Sequence, residues 1–504
     1  MAERLKLSPT PIQQFNLTNG LRVILVEDHA VPVVSVTLYY DVGSRNEKSG
    51  RTGFAHLFEH MMFQGSENVP KAAHFQYIFN AGGTMNGTTS TERTNYYETL
   101  PASHLPLALW LESDRMRSLK VTQENLDNQR EAVKEEKRLR YDNQPYVNAF
   151  LRFSELVFKN PANAHSTIGS MEDLDAATID DVREFFRIYY APNNAVLTVV
   201  GDFDETEARE LIEKYFKEIP SQPPPPPVDV SEQPEVVVRR DIFYDVHAPT
   251  SAFMLGWKIP PRRTPEFYAL SLGAELLFSG DSSRLYQKLV KGDESVVSIQ
   301  GGIDERRGPS ALYIFALPKP GEEVAAIRNQ IFDEIRALRT SGPSPAEMEK
   351  LKNSLCNDVV RGRQSTMYRA QRLAEYALYD NDPTLFDSEL DLYLAITPEQ
   401  IRDAVERFLD VDNRVVLDVV PAAMAEATSA DEVSETATPA SPQPPGEPKQ
   451  PGAPAPQVPS VPPVEPATEA GAAVGGPVSS QLEQPQQPAD PPKQTDSGSG
   501  PLHT

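Results

Sequence analysis

A run of prolines from Pro223 to Pro227, with Pro220 just before it, limits how this chain can fold. Consecutive prolines favour the extended polyproline II conformation and lack the N–H donors that helices and sheets require. The run therefore predicts a stiff linker, which we place at residues 220–228. The folded part of the chain is divided there into two halves.

The two halves share a repeated pattern. The segment Thr178-Ile-Asp-Asp-Val-Arg-Glu-Phe-Phe, followed by Asn193-Asn-Ala-Val-Leu-Thr-Val-Val, is echoed by Thr397-Pro-Glu-Gln-Ile-Arg-Asp-Ala-Val, followed by Asp412-Asn-Arg-Val-Val-Leu-Asp-Val-Val. In each copy a Thr can cap a helix whose apolar residues recur at helical spacing, and a β-branched run suits a buried strand. The pattern predicts duplicated α+β domains, at residues 1–219 and 229–421.

The composition changes near Ala422. From there the sequence consists mainly of Pro, Ala, Glu, Gln, Gly and Ser, with scarcely any aromatic or large aliphatic residue. Such a segment cannot bury enough apolar surface to offset its conformational entropy. We expect residues 422–504 to form a disordered tail.

Charge and cysteine content exclude several classes of protein. The formal net charge of -24 argues against a nucleic-acid surface, which needs clustered Lys and Arg. The single cysteine, Cys356, excludes an intrachain disulfide and a thiolate metal cluster. The first residues do not resemble a secretory signal, and no stretch is long and apolar enough to span a bilayer. We expect a cytoplasmic protein, or a periplasmic one if a leader has been removed.

The chemistry is indicated by His56, Glu59 and His60 in the run Gly53-Phe-Ala-His-Leu-Phe-Glu-His-Met-Met-Phe. On a helix, residues four apart lie one turn above each other, so both imidazoles can hold one metal ion. Glu59 projects from the same side, where it can reach a water on the metal. Zinc lowers the pKa of such a water toward neutrality, and the carboxylate can take its remaining proton during attack on a carbonyl.

A catalytic zinc usually takes three protein ligands, so a third ligand is needed from elsewhere. The strongly helical segment that starts at Asn128 offers Glu131, Glu135 and Glu136. The residues alone leave this choice open.

The His-x-x-Glu-His order is the inverzincin signature, and with it the chain resembles the pitrilysin family, which includes insulin-degrading enzymes and mitochondrial processing peptidases. The resemblance covers about residues 14 to 421 and extends to other segments. These are Asn19-Gly-Leu-Arg-Val-Ile, Gly43-Ser with Glu47, Gly82-Gly-Thr-Met-Asn-Gly-Thr and Tyr190-Ala-Pro-Asn-Asn-Ala-Val-Leu-Thr-Val-Val-Gly-Asp.

The resemblance implies two homologous α/β-sandwich-type halves that form a clamshell, with one zinc ion per chain. It implies that Glu136 is the third ligand, with Glu135 as the alternative. An edge strand that contains Asn86, Gly87 and Thr88 is implied to align an extended peptide substrate.

Two departures from the family pattern concern groups around the metal and the substrate. Relatives commonly have a second Glu seven residues before the ligand, where this chain has Gln129, so Glu131 is expected to support the ligands instead. Relatives also place an Arg and a Tyr where this chain has Val290 and Val297, and those side chains stabilise the oxyanion. The resemblance therefore implies a homodimer, or a heterodimer with a similar chain that carries the Arg/Tyr pair.

The leading hypothesis is a zinc-dependent endopeptidase that hydrolyses short or unfolded peptides inside a closed chamber, with Glu59 as the general base. One alternative is a catalytically silent structural or binding subunit of a processing-peptidase-like complex. Another is a zinc hydrolase of a non-peptide carbonyl. The remaining histidines, such as His74, His104 and His165, have no partner at ligand spacing and are expected to be surface or hydrogen-bonded residues.

Overall fold

The structure is a computed structural model that describes residues 7–233, 238–410 and 412–424. Its strands form two sheets, one in each half of the chain. The strands are β1 (Gln13–Asn16), β2 (Arg22–Glu27), β3 (Val33–Tyr40), β4 (Thr84–Thr89), β5 (Thr94–Pro101), β6 (Ala195–Gly201), β7 (Arg239–Asp245), β8 (Ala252–Ile259), β9 (Val296–Asp304), β10 (Ser310–Pro318) and β11 (Val415–Pro421).

The helices pack against both faces of these sheets. They are α1 (Phe54–Met61), α2 (Ala73–Asn80), α3 (Leu105–Ser118), α4 (Gln123–Lys137), α5 (Val147–Val157), α6 (Pro161–Ala164), α7 (Met171–Asp175), α8 (Ile179–Tyr189), α9 (Glu205–Phe216), α10 (Pro265–Phe278), α11 (Val324–Ser341), α12 (Pro345–Gly362), α13 (Thr366–Asp380), α14 (Leu385–Ala395) and α15 (Pro398–Phe408). A π-helical turn, Arg138–Asp142, continues α4, and a second π-helical segment spans Tyr286–Gly292.

The sheet topology confirms the predicted duplication. The first sheet has the order β1-β2-β6-β3-β5-β4, and the second has the order β7-β11-β8-β10-β9. Without β1, the two orders match strand for strand. The pairs β2 with β6 and β7 with β11 are parallel, and all the other pairs are antiparallel. The chain is therefore an α+β protein made of two halves with the same fold.

The repeated helix-to-strand pattern is confirmed in both halves. Thr178 caps α8 and Thr397 caps α15, and each forms a capping box. The Thr hydroxyl accepts the backbone N–H of the residue three positions later, and the side chain of that residue accepts the backbone N–H of the Thr. The buried strands β6 and β11 follow. These local signals could be read from the sequence because every partner lies within three residues.

Each half contributes one helix to the sheet of the other half. Helix α5, which follows α4 in the first half, packs on the second sheet through an apolar cluster that includes Phe153, Met254 and Leu417. Helix α13, which follows α12 in the second half, packs on the first sheet through Ala370, Leu373 and Val196. Burial of such faces stabilises the fold by roughly 25 cal/mol per Å². The two halves are thereby joined into one duplicated clamshell.

The predicted linker, residues 220–228, contains neither helix nor strand. The domain limits at residues 219, 229 and 421 stay predictions. The tail predicted for residues 422–504 lies outside the described residues from residue 425 onward. Within the described ranges, no helix is long and apolar enough to cross a membrane. The cytoplasmic location stays a prediction.

Candidate metal centre

Helix α1 carries the His-x-x-Glu-His motif and is buried along its whole length. It begins after Gly53, whose φ of +86° is a left-handed conformation that favours glycine. The carboxylate of Glu47 accepts the backbone N–H groups of Gly53 (2.9 Å) and Ala55 (2.7 Å), and Nε2 of His165 lies 2.9 Å from it. A carboxylate at a helix N-terminus satisfies its free donors and complements its dipole. This arrangement fixes the start of α1 in the core.

His56, His60 and Glu136 come together as the resemblance implied. The two imidazole rings lie one turn apart on α1, with centroids separated by 4.8 Å. Helix α4 brings Oε2 of Glu136 to 3.6 Å from Nε2 of His56 and 3.2 Å from Nε2 of His60. Three ligands on a tetrahedral zinc are separated by about 3.3 Å when each bond is about 2.0 Å. The observed separations are close to this value.

The protonation states of His56 and Glu136 suit metal ligands. Burial, together with the neighbouring His60, lowers the pKa of His56 to about 3, which leaves this imidazole neutral. Burial also acts to lower the pKa of His60, but the carboxylates of Glu136 and Glu59 outweigh it and raise this pKa. Burial acts to raise the pKa of Glu136, but the two imidazoles and Arg140 hold it below its usual value. Glu136 is therefore a carboxylate facing two imidazole nitrogens.

Glu59 lies beside these three side chains and is fully buried. Its Oε2 accepts a hydrogen bond of 2.6 Å from the Thr89 hydroxyl on β4, and its Oε1 has no hydrogen-bond partner. Burial raises the pKa of Glu59 to about 7, against the opposing effects of His60 and the Thr89 hydroxyl. Thr89 could not be predicted from the sequence, because its contact with Glu59 spans 30 residues and depends on how β4 packs against α1.

The predicted substrate strand is β4, which forms one edge of the first sheet. Gly87 lies beside the base, since a Cβ there would be 3.2 Å from Cγ of Glu59. The N–H of Gly87 donates to Oδ1 of Asn86 (2.9 Å). The Thr88 side chain is buried on the opposite face of the sheet, where its hydroxyl bonds Asn95 (2.5 Å). Thr88 can therefore reach a peptide on this edge through its backbone only.

One sequence-based expectation needs correction. Glu131 was expected to support the ligands, but its side chain is 65% exposed and pairs with Lys134 (3.3 Å). It stands five residues before Glu136, which places it about 140° away around the helix axis. Gln129 is buried instead, and its amide Nε2 donates to Oδ1 of Asn128 (2.7 Å). Arg140 supports the ligand itself, with Nη1 at 3.2 Å from Oε1 of Glu136.

The other histidines differ from one another. His165 is hydrogen-bonded, as expected, to Glu47. The expectation for His74 was wrong, because it is only 3% exposed and its Nε2 has no hydrogen-bond partner.

The positions of the family's Arg/Tyr pair hold no hydrogen-bond donors here. Val290 is half-buried in the Tyr286–Gly292 segment and packs against the core of the second half. Val297 is 54% exposed on β9, the strand that matches β4 in the duplicated topology. Helix α10, which follows β8 as α1 follows β3, contains no histidine.

The donor set fits zinc. Nε2 of His60 and Oε2 of Glu136, two of the atoms that would bind the metal, are buried and have no hydrogen-bond partner. Such unpaired polar atoms are rare in folded proteins and call for a ligand. Two imidazoles and one carboxylate are the ligands of several catalytic zinc sites.

Comparison with known proteins supports the resemblance. A family profile described as "Insulinase (Peptidase family M16)" matches residues 22–167, and one described as "Peptidase M16 inactive domain" matches residues 176–355. The chain is 28% identical to the zinc protease PqqE of Helicobacter pylori, over 80% of this chain and 92% of that protein. It is 23% identical to a probable mitochondrial-processing peptidase subunit beta of Arabidopsis thaliana, over 54% of this chain and 51% of that protein.

Solved structures agree with this. The crystal structure of a protease from Helicobacter pylori superposes with a TM-score of 0.79 at 25% identity, over 82% of this chain and all of that one. Fold and site together define the class of proteins in which duplicated α+β halves carry one His-x-x-Glu-His helix. Because both family profiles match in sequence order, the chain belongs to peptidase family M16, the pitrilysin family.

Proposed function

We propose that this chain is a zinc endopeptidase in which His56, His60 and Glu136 hold one catalytic zinc ion and Glu59 is the general base. The observation that carries the proposal is the convergence of two imidazole nitrogens on Oε2 of Glu136, at 3.6 and 3.2 Å. Zinc bound there would lower the pKa of a water and polarise the carbonyl of the scissile peptide bond.

Glu59 has the position and the proton affinity of a general base. Thr89 holds one of its oxygens, which leaves Oε1 free to accept the proton of the attacking water. A pKa of about 7 is close to neutral pH, so Glu59 can take this proton and then deliver it to the leaving amine.

The substrate is an extended peptide that adds to β4 as a further strand. A sheet edge offers N–H and C=O groups that a peptide backbone completes with little dependence on sequence. Gly87 lies beside Glu59, so the scissile bond would pass the base there, with Asn86 and the Thr88 backbone as further contacts. A closed chamber would select short or unfolded peptides.

A second chain would complete the site. Val290 and Val297 cannot donate hydrogen bonds to an oxyanion, so the proposed assembly is a homodimer or a heterodimer with a similar chain that supplies Arg and Tyr. The matching protein from Arabidopsis thaliana is itself named as a subunit.

The alternative is a catalytically silent structural or binding subunit. It is favoured by the same two valines and by the "inactive domain" description of the profile that matches residues 176–355. The intact set of His56, Glu59, His60 and Glu136 favours the enzyme, since a silent subunit has no physical need for Glu59 beside the ligands.

The variant Glu59→Gln distinguishes the endopeptidase from the silent subunit. This variant should keep the zinc content of the unchanged chain and lose hydrolysis of a quenched fluorescent peptide, because an amide cannot accept the proton. Glu135→Gln is the matched control, as Glu135 is 57% exposed and pairs with Arg138. If both variants and the unchanged chain bind zinc but cleave no peptide, with or without a partner chain, the silent subunit is the correct function.

A further inference from the structure

A second group of potential metal ligands lies in the core of the first half. His74 on α2, Glu98 on β5 and Glu112 on α3 each offer one ligand atom, and these atoms lie within 4.8 Å of one another. The three residues are 3%, 0% and 1% exposed. Within the described residues, they and the catalytic ligands are the two such groups.

Three polar atoms of this group have no hydrogen-bond partner in the protein. Both carboxylate oxygens of Glu98 and Nε2 of His74 are buried without a hydrogen-bond partner. Nε2 of His74 lies 4.0 Å from Oε1 of Glu112, too far for a hydrogen bond. Buried polar atoms are normally paired, and a carboxylate with both oxygens unpaired is especially costly.

Arg115 is hydrogen-bonded to one of the two carboxylates, Glu112, and its charge also acts on the other, Glu98. Its guanidinium donates two hydrogen bonds to Glu112, one of them from Nε to Oε2 at 3.0 Å, and it lies over the Tyr96 ring. Burial and the adjacent carboxyl of Glu112, with which Glu98 can share a proton, raise the pKa of Glu98 against the opposing charge of Arg115. Burial together with Arg115 lowers the pKa of His74. His74 is therefore neutral, which is its ligand form, and Glu98 needs either a proton or a cation.

The catalytic group has a similar composition. There too, an imidazole and a carboxylate face each other, and an arginine, Arg140, contacts one carboxylate. A divalent ion would meet two carboxylates and one arginine at each group: Glu98, Glu112 and Arg115 at the second group, and Glu136, Glu59 and Arg140 at the catalytic group. The charge balance is therefore the same at both groups, so Arg115 does not exclude an ion.

We propose that His74, Glu98 and Glu112 bind a second divalent cation, which has a structural role. Nitrogen and oxygen donors of this kind suit zinc, and a carboxylate that binds through both oxygens would complete four-coordination in a closed site. The ion ties α2, β5 and α3 together. Tyr96 lies two residues before Glu98 on the same face of β5, and it contacts Gly87, so the ion also steadies the strand beside Glu59.

The test is the zinc content of the purified full-length chain, loaded with zinc and desalted, measured by mass spectrometry. The unchanged chain should hold about two zinc ions. His56→Ala removes the catalytic ion and should leave about one, and Glu98→Gln should also leave about one, with a lower melting temperature. Glu135→Gln, an exposed carboxylate in the same half, should change neither the zinc content nor the melting temperature.

A zinc content that Glu98→Gln leaves unchanged would overturn the proposal, and Glu98 would then hold a proton instead. If Glu98→Gln does not fold, anomalous diffraction at the zinc edge from crystals of the unchanged chain decides the matter. A peak between His74, Glu98 and Glu112 supports the site, and the absence of a peak there contradicts it. The zinc content of His56→Ala distinguishes this result from a failure of the catalytic site to bind zinc.

Discussion

Thr89 should control how well Glu59 works, although it is not one of the proposed metal ligands. Its hydroxyl donates a 2.6 Å hydrogen bond to Oε2 of Glu59 in a fully buried setting. Hydrogen bonds to charged groups contribute about 1.5–3 kcal/mol. If that bond fixes the carboxylate for the reaction, its loss should lower kcat by about ten- to 150-fold.

Thr89→Val tests this with little change of shape, because valine replaces the hydroxyl by a methyl group and keeps the β-branch that suits a strand. Thr89→Ser is the matched control, since it keeps the hydroxyl. The assay is kcat and KM for a quenched fluorescent peptide, with zinc content measured on the same samples. We expect Thr89→Val to lower kcat at unchanged zinc content and Thr89→Ser to stay near the unchanged chain. A Thr89→Val protein with kcat within twofold of the unchanged chain, at about equal zinc content, would refute the reasoning.

Three further predictions concern the ligand, the tail and the partner. Glu136→Gln should weaken zinc binding by more than about 100-fold in a chelator competition, since the loss of groups that only support the ligands already costs about 10–100-fold. Glu135→Gln should leave the zinc affinity unchanged. If Glu135→Gln weakens zinc binding more than Glu136→Gln does, the third ligand is misassigned. Deletion after residue 425 should shift the melting temperature by less than about 2 °C and leave turnover unchanged, because the composition predicts a disordered tail with few contacts. A drop of several degrees would show that the tail is docked. The isolated chain should cleave peptides slowly, and a partner with the Arg/Tyr pair should raise its kcat by about 100-fold, since one oxyanion donor contributes that much. Full turnover that no partner improves would contradict the claim that Val290 and Val297 leave the site without needed donors.

The sequence predicted those features whose signals are local. The sequence around the motif predicts a helix over about Thr52 to Met62, and the observed helix is Phe54–Met61. After a turn at Gly82-Gly83, the sequence predicts strands from Thr84 to Ser90 and from Thr94 to Leu100, and the observed strands β4 and β5 agree within one residue at each end. Apolar spacing, glycines and capping residues decide these elements, and all of them act within a few residues along the chain.

Features that depend on tertiary packing could not be predicted in this way. Apolar faces show that α5 and α13 are buried, but they do not show that each helix packs on the sheet of the other half. The contacts of Thr89 with Glu59 and of Glu47 with His165 span 30 and 118 residues. Glu131 was misjudged for a different reason, because its place around the axis of α4, opposite the ligands, outweighs its nearness in sequence to Glu136.

The most direct test of the central claim is a crystal structure of the zinc-loaded Glu59→Gln chain, with its partner if one is required, bound to an uncleaved peptide. We expect zinc at about 2.0–2.2 Å from Nε2 of His56, Nε2 of His60 and a carboxylate oxygen of Glu136. The peptide should lie beside β4 as an added strand, with a backbone carbonyl at the zinc next to Gly87 and the substituted residue 59. Zinc bound elsewhere, or a peptide that does not pair with β4, would contradict the account.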